Sequence, residues 1–252
     1  MKADDVKKLQ QKKYRNEWRH FLVEGEHLIL ELHKAAFHSK KTQQHLQQAE
    51  LFITEDYSDW VKDKLGDVFR TTVVGKKAMS QMSDTKSPQG IVAAVPFPPP
   101  AGQHEDAGLR TLYLHEIQDP GNLGTILRTL GWFGGYRCLL SPGSVDPYNP
   151  KVVRSSMGAI FHVLFGQDVS IEELARRCQS IACLDMNGTP LSRIRAGHHD
   201  AFIFGNEARG IPHEQLSALN VTTYTIPGSG TIESLNLASA VNMCVYELSQ
   251  PD

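Results

Sequence analysis

Five polar residues stand where a chain could do chemistry: Asn122, Arg128, Glu207, Ser234 and Asn236. Asn122 and Arg128 fall in Ile117-Gln-Asp-Pro-Gly-Asn-Leu-Gly-Thr-Ile-Leu-Arg-Thr, where an apolar run enters a turn sequence and a helix starts near Leu123. On spacing alone Asn122 reads best as the cap of that helix, accepting a backbone N–H bond. Arg128 stands among Ile126, Leu127 and Leu130, on a helix expected to pack against a sheet. A buried arginine needs a partner, and its planar fork suits phosphate or carboxylate, so a structural ion pair and an anion clamp are equally supported. Glu207 falls in Phe202-Ile-Phe-Gly-Asn-Glu-Ala-Arg-Gly-Ile-Pro, whose glycines permit a ligand to approach the backbone closely. That stretch matches neither the dinucleotide nor the nucleoside-triphosphate phosphate loop. Ser234 and Asn236 fall in Ile226-Pro-Gly-Ser-Gly-Thr-Ile-Glu-Ser-Leu-Asn-Leu-Ala-Ser-Ala, a loop that becomes an apolar helix. Ser234 is the cap candidate there, which leaves Asn236 and the two loop glycines without a local role.

The elements around these stretches alternate between strand and helix. From residue 109 onward, apolar runs at 109–115, 136–140, 161–165, 180–185, 200–205 and 222–227 are separated by helical spacing at 123–133, 171–178 and 235–248. Near-continuous apolar strands with helical crossovers describe a parallel sheet covered on both faces. In such sheets ligands bind beyond the carboxyl ends of the strands, which is where the three polar stretches lie. Before residue 96, strands at 21–25, 51–54, 70–74 and 90–95 alternate with helices at 26–36 and 58–65, a second α/β arrangement. Consecutive prolines after Pro96 favour an extended linker. The expected division is therefore 1–95, a linker over 96–108, and 109–252.

Composition narrows the class. The chain has 252 residues, 40% hydrophobic and 21% charged, as folded domains do. No apolar run is long enough to span a membrane, and the opening MKADDVKKLQQKKYRNEW lacks the apolar core of a secretory signal, so a cytoplasmic location is expected. Cys138, Cys178, Cys183 and Cys244 form no CxxC pair and read as buried free thiols. The adjacent His198 and His199 make a poor metal site, and no metal is expected. Net charge is −2, with 16 basic against 13 acidic residues in 1–95 and 10 against 13 in 109–252. Any nucleic-acid contact must therefore be local; Lys7, Lys8, Lys12, Lys13, Arg15 and Arg19 form the one dense basic patch, and charge alone favours a solvated helix face for it.

Taken together, the three stretches resemble the SpoU (TrmH-like) branch of the SPOUT superfamily, RNA ribose 2′-O-methyltransferases that use S-adenosyl-L-methionine. Asp119-Pro-Gly-Asn-Leu-Gly-Thr-Ile-Leu-Arg-Thr resembles the family's first motif, Phe204-Gly-Asn-Glu-Ala-Arg-Gly-Ile its second, and Ile226-Pro with Glu233-Ser-Leu-Asn-Leu-Ala-Ser-Ala its third. The segment Ser144-Val-Asp-Pro-Tyr-Asn-Pro-Lys-Val-Val-Arg-Ser-Ser-Met-Gly-Ala is also similar to a family segment. Phe21-Leu-Val-Glu-Gly-Glu and Ser83-Asp-Thr-Lys-Ser-Pro-Gln-Gly-Ile resemble the family's substrate-binding domain, an α/β/α fold. Many members carry Met after the third motif's Ile-Pro, where this chain has Gly228-Ser229.

The resemblance implies a C-terminal parallel-sheet α/β domain tied in a deep trefoil knot, a smaller N-terminal RNA-binding domain, and a homodimer formed through the C-terminal domain. It implies cofactor contact near Gly205, Ile226 and Leu235. It assigns Arg128 to the 2′-hydroxyl and its adjacent phosphate, and Asn122, Glu207, Ser234 and Asn236 to orienting them. No Lys, His or Cys falls within the motifs, and an arginine, whose guanidinium stays protonated in proteins, is a poor base, so proton loss is expected to be assisted by the phosphate. Ribosomal RNA is the favoured substrate by family analogy. The alternatives are a tRNA 2′-O-methyltransferase, a base methyltransferase of the same superfamily, and an RNA-binding or assembly factor that has lost the chemistry.

Overall fold

The computed structural model describes residues 1–37, 41–85, 87–99, 108–195 and 197–250. Most of the proline-rich stretch, 100–107, lies outside the described residues. The chain forms two compact units: Met1–Ala101 with Asp146–His162, and Gly102–Val145 with Val163–Asp252.

The first unit begins with two short helices, α1 (Ala3–Val6) and α2 (Lys12–Trp18). Strand β1 (His20–Glu24), helix α3 (Glu26–Phe37), strand β2 (Glu50–Ile53), helix α4 (Ser58–Leu65), strand β3 (Arg70–Val73), helix α5 (Lys76–Met82) and strand β4 (Ile91–Pro96) follow. Leu28, Ile29, Leu32, Ala35 and Ala36 recur at helical spacing along α3, and all five are buried. The sheet order is β1-β4-β2-β3. Strand β4 runs antiparallel to both β1 and β2, and β2 pairs in parallel with β3. Strand β4 is buried from Ile91 to Val95, as a central strand of apolar residues should be, whereas the edge strand β3 is exposed throughout.

In the second unit, β5 (Arg110–Leu114) leads to α6 (Pro120–Phe133) and β6 (Tyr136–Leu140). Helix α7 (Pro150–Ser155) comes next in the chain but packs with the first unit. It is held there through the residues just before it. Arg15, buried on α2, donates its Nε–H to Asp146 at 2.9 Å and its Nη1–H to the carbonyls of Leu9 and Gln10 at 2.8 Å. The Tyr148 ring stacks on Phe97 with centroids 3.8 Å apart and lies 4.9 Å from the Phe21 ring. A buried ion pair with its remaining donors satisfied and a three-ring cluster together fix this segment in place.

The second unit resumes with β7 (Leu164–Gly166), α8 (Ile171–Arg177), β8 (Ile181–Pro190), β9 (Ala201–Phe204), α9 (His213–Leu216), β10 (Val221–Thr225) and α10 (Leu237–Leu248). Its six strands are all parallel, in the order β10-β8-β9-β5-β6-β7. The central strands β9 and β5 are the most deeply buried, which explains their unbroken apolar runs. The run expected as a strand at 161–165 divides. Residues Ala159–Phe161 form a single helical turn with Phe161 buried, and only Leu164–Gly166 pairs with β6.

All four cysteines are buried and free. His199 uses both ring nitrogens, Nδ1 with Ser180 Oγ at 3.0 Å and Nε2 with the Tyr224 hydroxyl at 3.0 Å. Among the described residues no group of His, Cys, Asp or Glu side chains is arranged to hold a metal ion, and no helix is long and apolar enough to cross a membrane.

Candidate active site

The polar stretches meet at the carboxyl ends of β5, β9 and β10. Helix α6 starts earlier than its apolar pattern suggested, at Pro120, and its cap is Asp119 rather than Asn122. Asp119 Oδ1 accepts the Asn122 N–H at 2.7 Å, and Pro120 occupies the first helical position, where a missing N–H costs nothing. The Asn122 side chain is thereby released from capping. Its Nδ2 donates to Glu207 Oε1 at 3.3 Å, and its Oδ1 accepts from Asn236 Nδ2 at 3.0 Å.

The third stretch is corrected in the same way. The cap of α10 is Asn236, whose Oδ1 accepts the Ser239 N–H at 3.2 Å. Ser234 is exposed and makes no hydrogen bond among the described residues. Asn236 therefore has two roles, holding its own helix with one end of the amide and Asn122 with the other.

Glu207 ties the second stretch to the first. Its carboxylate accepts the Gln118 N–H at 3.1 Å and the Asp119 N–H at 3.1 Å, besides the Asn122 amide. Its neighbour Asn206 is buried and acts as the organiser of the loop. Asn206 Nδ2 donates to the Glu116 carbonyl at 2.7 Å, and its Oδ1 accepts the N–H groups of Ala208 and Arg209. The backbones of Asn206 and Gly210 exchange two hydrogen bonds of 2.9 Å, which folds the loop back on itself. Gly205 is required at that point, because a Cβ there would lie 2.2 Å from the Gly210 carbonyl carbon. Arg209 pairs with Glu116, which holds a left-handed backbone at φ 49°. Asp119 and Asn206 escaped the sequence reading. Asp-Pro at a helix start was a usable signal for the first; nothing local distinguishes the second from any polar loop residue.

Arg128 is exposed, against the expectation of a buried guanidinium. The side chains of Ile126, Leu127 and Leu130 do enter the core, but Thr125, Arg128 and Trp132 share the opposite face of α6. Arg128 has no hydrogen bond or ion pair among the described residues, so the structural ion pair is not formed. Beside it, Thr129 donates to Asn242 Oδ1 and couples α6 to α10. The structure thus links Asn122, Glu207 and Asn236 directly, and gives Arg128 and Ser234 no bond to that chain.

The loop from Ile226 to Leu235 is open rather than a buried helix mouth. From Pro227 to Leu235 every residue is exposed, and no backbone-to-backbone hydrogen bond is made within it. Its main-chain donors and acceptors, with the uncovered side chains of Ile232 and Leu235, suit a ligand that has both a hydrogen-bonding heterocycle and apolar surface. At the end of β5, His115 is partly buried, and its Nδ1 has no partner among the described residues. Burial pushes its pKa down, with Arg209 adding to the effect and Glu116 opposing it.

Two family models match the chain. The SpoU rRNA methylase family matches residues 110–246, and the MRM3-like substrate binding domain matches residues 2–93. The 23S rRNA (guanosine(2553)-2′-O)-methyltransferase RlmP of Bacillus subtilis is 31% identical over 251 residues, 98% of this chain and 95% of that protein. An rRNA methyltransferase from Sinorhizobium meliloti, solved with AdoMet bound, superposes with a TM-score of 0.79 at 25% identity, covering 98% of this chain and 93% of that one. The SpoU methyltransferase AviRb from Streptomyces viridochromogenes, solved with AdoMet, shares the fold at a TM-score of 0.82 and 20% identity, over 98% and 96% of the two chains.

Proposed function

The chain belongs to the SpoU rRNA methylase family, and from that premise we propose that it transfers the methyl group of S-adenosylmethionine to a ribose 2′-hydroxyl of ribosomal RNA. The observation that carries the reading is the hydrogen-bonded chain Asn236–Asn122–Glu207, which joins the three strand ends on the helix that also carries Arg128, an arginine with no partner among the described residues. S-adenosylmethionine, when bound, supplies an electrophilic methyl group on a sulfonium. The residues that fit it are the backbone near Gly205 and the open loop between Ile226 and Leu235.

Arg128 is the group that meets the RNA. Its exposed, unpaired fork clamps the phosphate beside the target ribose and polarises the 2′-hydroxyl. A guanidinium stays protonated in proteins and is no base, so the proton leaves with help from that phosphate. Glu207 is a positioning residue, because its oxygens already accept two backbone N–H groups and the Asn122 amide. Asn122 and Asn236 would orient the target hydroxyl, and fixed geometry of this kind removes much of the entropy cost of a two-substrate displacement. Ser234, with no internal bond of its own, has its hydroxyl available to the substrate.

The residues matching the substrate-binding model bind the RNA, and the remainder carry the chemistry. By resemblance the C-terminal segment is threaded as a deep trefoil knot, and two copies pair through the second unit. An uncovered apolar face supports the pairing: Trp132, Phe133, Met243 and Tyr246 on α6 and α10 are 85%, 38%, 46% and 56% exposed. Four buried free thiols suit a reducing, cytoplasmic setting.

The deciding experiment is incubation with methyl-labelled S-adenosylmethionine and separated ribosomal RNA and tRNA, followed by mass-spectrometric mapping. Label on a 2′-O-methylated nucleotide of ribosomal RNA is the expected result. Label on tRNA or on a base would overturn the target or the chemistry, and absence of label together with absence of cofactor binding by calorimetry would leave only an RNA-binding factor.

A further inference from the structure

Three sets of residues are not used by the methyl-transfer site: the Glu24-Gly25-Glu26 turn, Ser83–Thr85 with Gln89, and the segment around Arg154. In the first unit they converge on one groove of about 520 Å³, bordered by Glu24, Gly25, Glu26, Gln89, Arg154 and Met157. A groove of that size falls in the range of about 300–1,000 Å³ that holds small ligands.

The walls are built rather than incidental. Glu24 accepts from Ser83 Oγ, from the Asp84 N–H at 3.1 Å and from Thr85 Oγ1 at 2.7 Å, which fixes the 83–85 turn. Asp84 in turn accepts the Arg154 Nη2–H at 2.9 Å. A second guanidinium nitrogen, Nη1, is buried and finds no acceptor among the described residues. Gln89 Oε1 accepts the Glu26 N–H at 3.0 Å, and Gly25 takes a positive φ of 94° that residues with a Cβ rarely adopt. The first backbone bond of α3 is Ile29 N–H to Gly25 O, so the N–H groups of His27 and Leu28 have no acceptor among the described residues. Met157, at the rim, holds a left-handed backbone at φ 50° and is 43% exposed as a residue.

Donors and acceptors are therefore both presented. An anion is suited by Arg154 and the first turn of a twelve-residue helix. Glu26 spends one carboxylate oxygen on the Tyr57 hydroxyl at 2.6 Å, and its other oxygen is left for a donor. A plain phosphate would be repelled by that carboxylate, whereas a nucleotide places its phosphate and the N–H edge of its base at different ends. We propose that this groove binds one unpaired nucleotide of the RNA substrate, its phosphate at Arg154 and the start of α3, its base edge on Glu26 and its flat face on Met157. Unpaired bases are the form in which RNA is read by sequence-sensitive pockets. The inference rests on the proposed action on ribosomal RNA and identifies where that RNA is gripped outside the reaction centre.

The test compares full-length wild type, Arg154→Gln and Asp84→Asn for binding of a fluorescein-labelled random-sequence oligoribonucleotide by anisotropy. Methyl transfer to ribosomal RNA and thermal unfolding are followed in parallel. Arg154→Gln should weaken binding at least about tenfold, the effect of one lost charge-assisted bond, while Asp84→Asn, which breaks the same ion pair but keeps the guanidinium, stays within about threefold of wild type. Photocrosslinking of wild type to 4-thiouridine-substituted ribosomal RNA should place adducts on the peptide holding Met157. Unchanged affinity in Arg154→Gln, an equal loss in Asp84→Asn, or adducts that avoid the groove would each overturn the subsite while wild-type methylation left the function standing. A wild type that neither binds nor methylates ribosomal RNA would overturn both.

Discussion

Asn236 donates its side-chain N–H to Asn122 Oδ1 across 3.0 Å, and this bond joins the cap of α10 to the first turn of α6. Its direction is imposed from both ends. Asn236 must offer its oxygen to the Ser239 N–H, which leaves its NH₂ for Asn122. Asn122 must offer its NH₂ to the Glu207 carboxylate, which leaves its oxygen for Asn236. Asn236→Asp keeps an effective cap but sets a carboxylate against the Asn122 oxygen. Its thermal midpoint should stay within a few degrees of wild type while the single-turnover methylation rate falls at least about tenfold. Asn236→Ala should lose the same activity and also about 1 kcal/mol of stability in a urea titration.

Arg128 makes the opposite prediction, activity without stability. Because it is exposed and unpaired, Arg128→Ala should unfold within about 0.5 kcal/mol of wild type. Its single-turnover rate should drop at least about a hundredfold at saturating RNA, the size expected for removal of a group that stabilises developing charge. A near wild-type rate would remove Arg128 from the mechanism.

The difference between these two residues shows which features were legible in the chain. The strands were, since buried parallel strands need unbroken apolar runs, and 136–140 falls where the pattern put it, as does the helix at 58–65. The helix face of Arg128 was readable too, because positions 125, 128 and 132 recur at helical spacing, yet its apolar sequence neighbours suggested burial. Of the site, the residue types were legible and their partners were not. Asp119 and Asn122 are both good caps, as are Ser234 and Asn236. Which one caps depends on where the chain enters the helix, and there the partners come from distant parts of the sequence, Glu207 for Asp119 and Asn122 for Asn236. The grouping of Asp146–His162 with the first unit was likewise invisible, since an apolar pattern says that a segment packs, not against what.

Gly205 carries a steric prediction. With the Gly210 backbone only 2.2 Å from where a Cβ would stand, Gly205→Ala must open the Asn206–Gly210 pairing or displace β9. Backbone cannot yield as a side-chain tip does, so a loss of at least about 2 kcal/mol by urea unfolding is expected, with weakened S-adenosylmethionine binding by calorimetry. Wild-type stability in this variant would show that the loop has a second packing.

The uncovered face of α6 and α10 predicts an association that charge should abolish. Trp132 and Tyr246 contribute the largest exposed rings there. The double variant Trp132→Glu, Tyr246→Glu should sediment as a monomer under conditions where wild type is a dimer, and its unfolding should lose the protein-concentration dependence that a dimer shows. A wild type that is monomeric at all concentrations would remove the proposed pairing.

Stability should fall on mild acidification, and His199 is the group best placed to report why. Its ring is buried against Phe202 and Tyr224, with each nitrogen engaged by a hydroxyl. Burial lowers its pKa below the ordinary 6.5, the neighbouring His198 adds to the shift, and Asp200 opposes it. His33 and His115 are lowered in the same direction, chiefly by burial. Below about pH 6.5 the unfolded chain therefore takes up protons that the native state refuses, which favours unfolding until the pH passes the folded pKa values. The thermal midpoint should decline between about pH 7.5 and pH 5.5. In His199→Gln, which keeps a polar side chain but cannot titrate, the midpoint should start lower and decline less steeply over the same interval. An equal slope in the variant would show that the protons are taken up elsewhere.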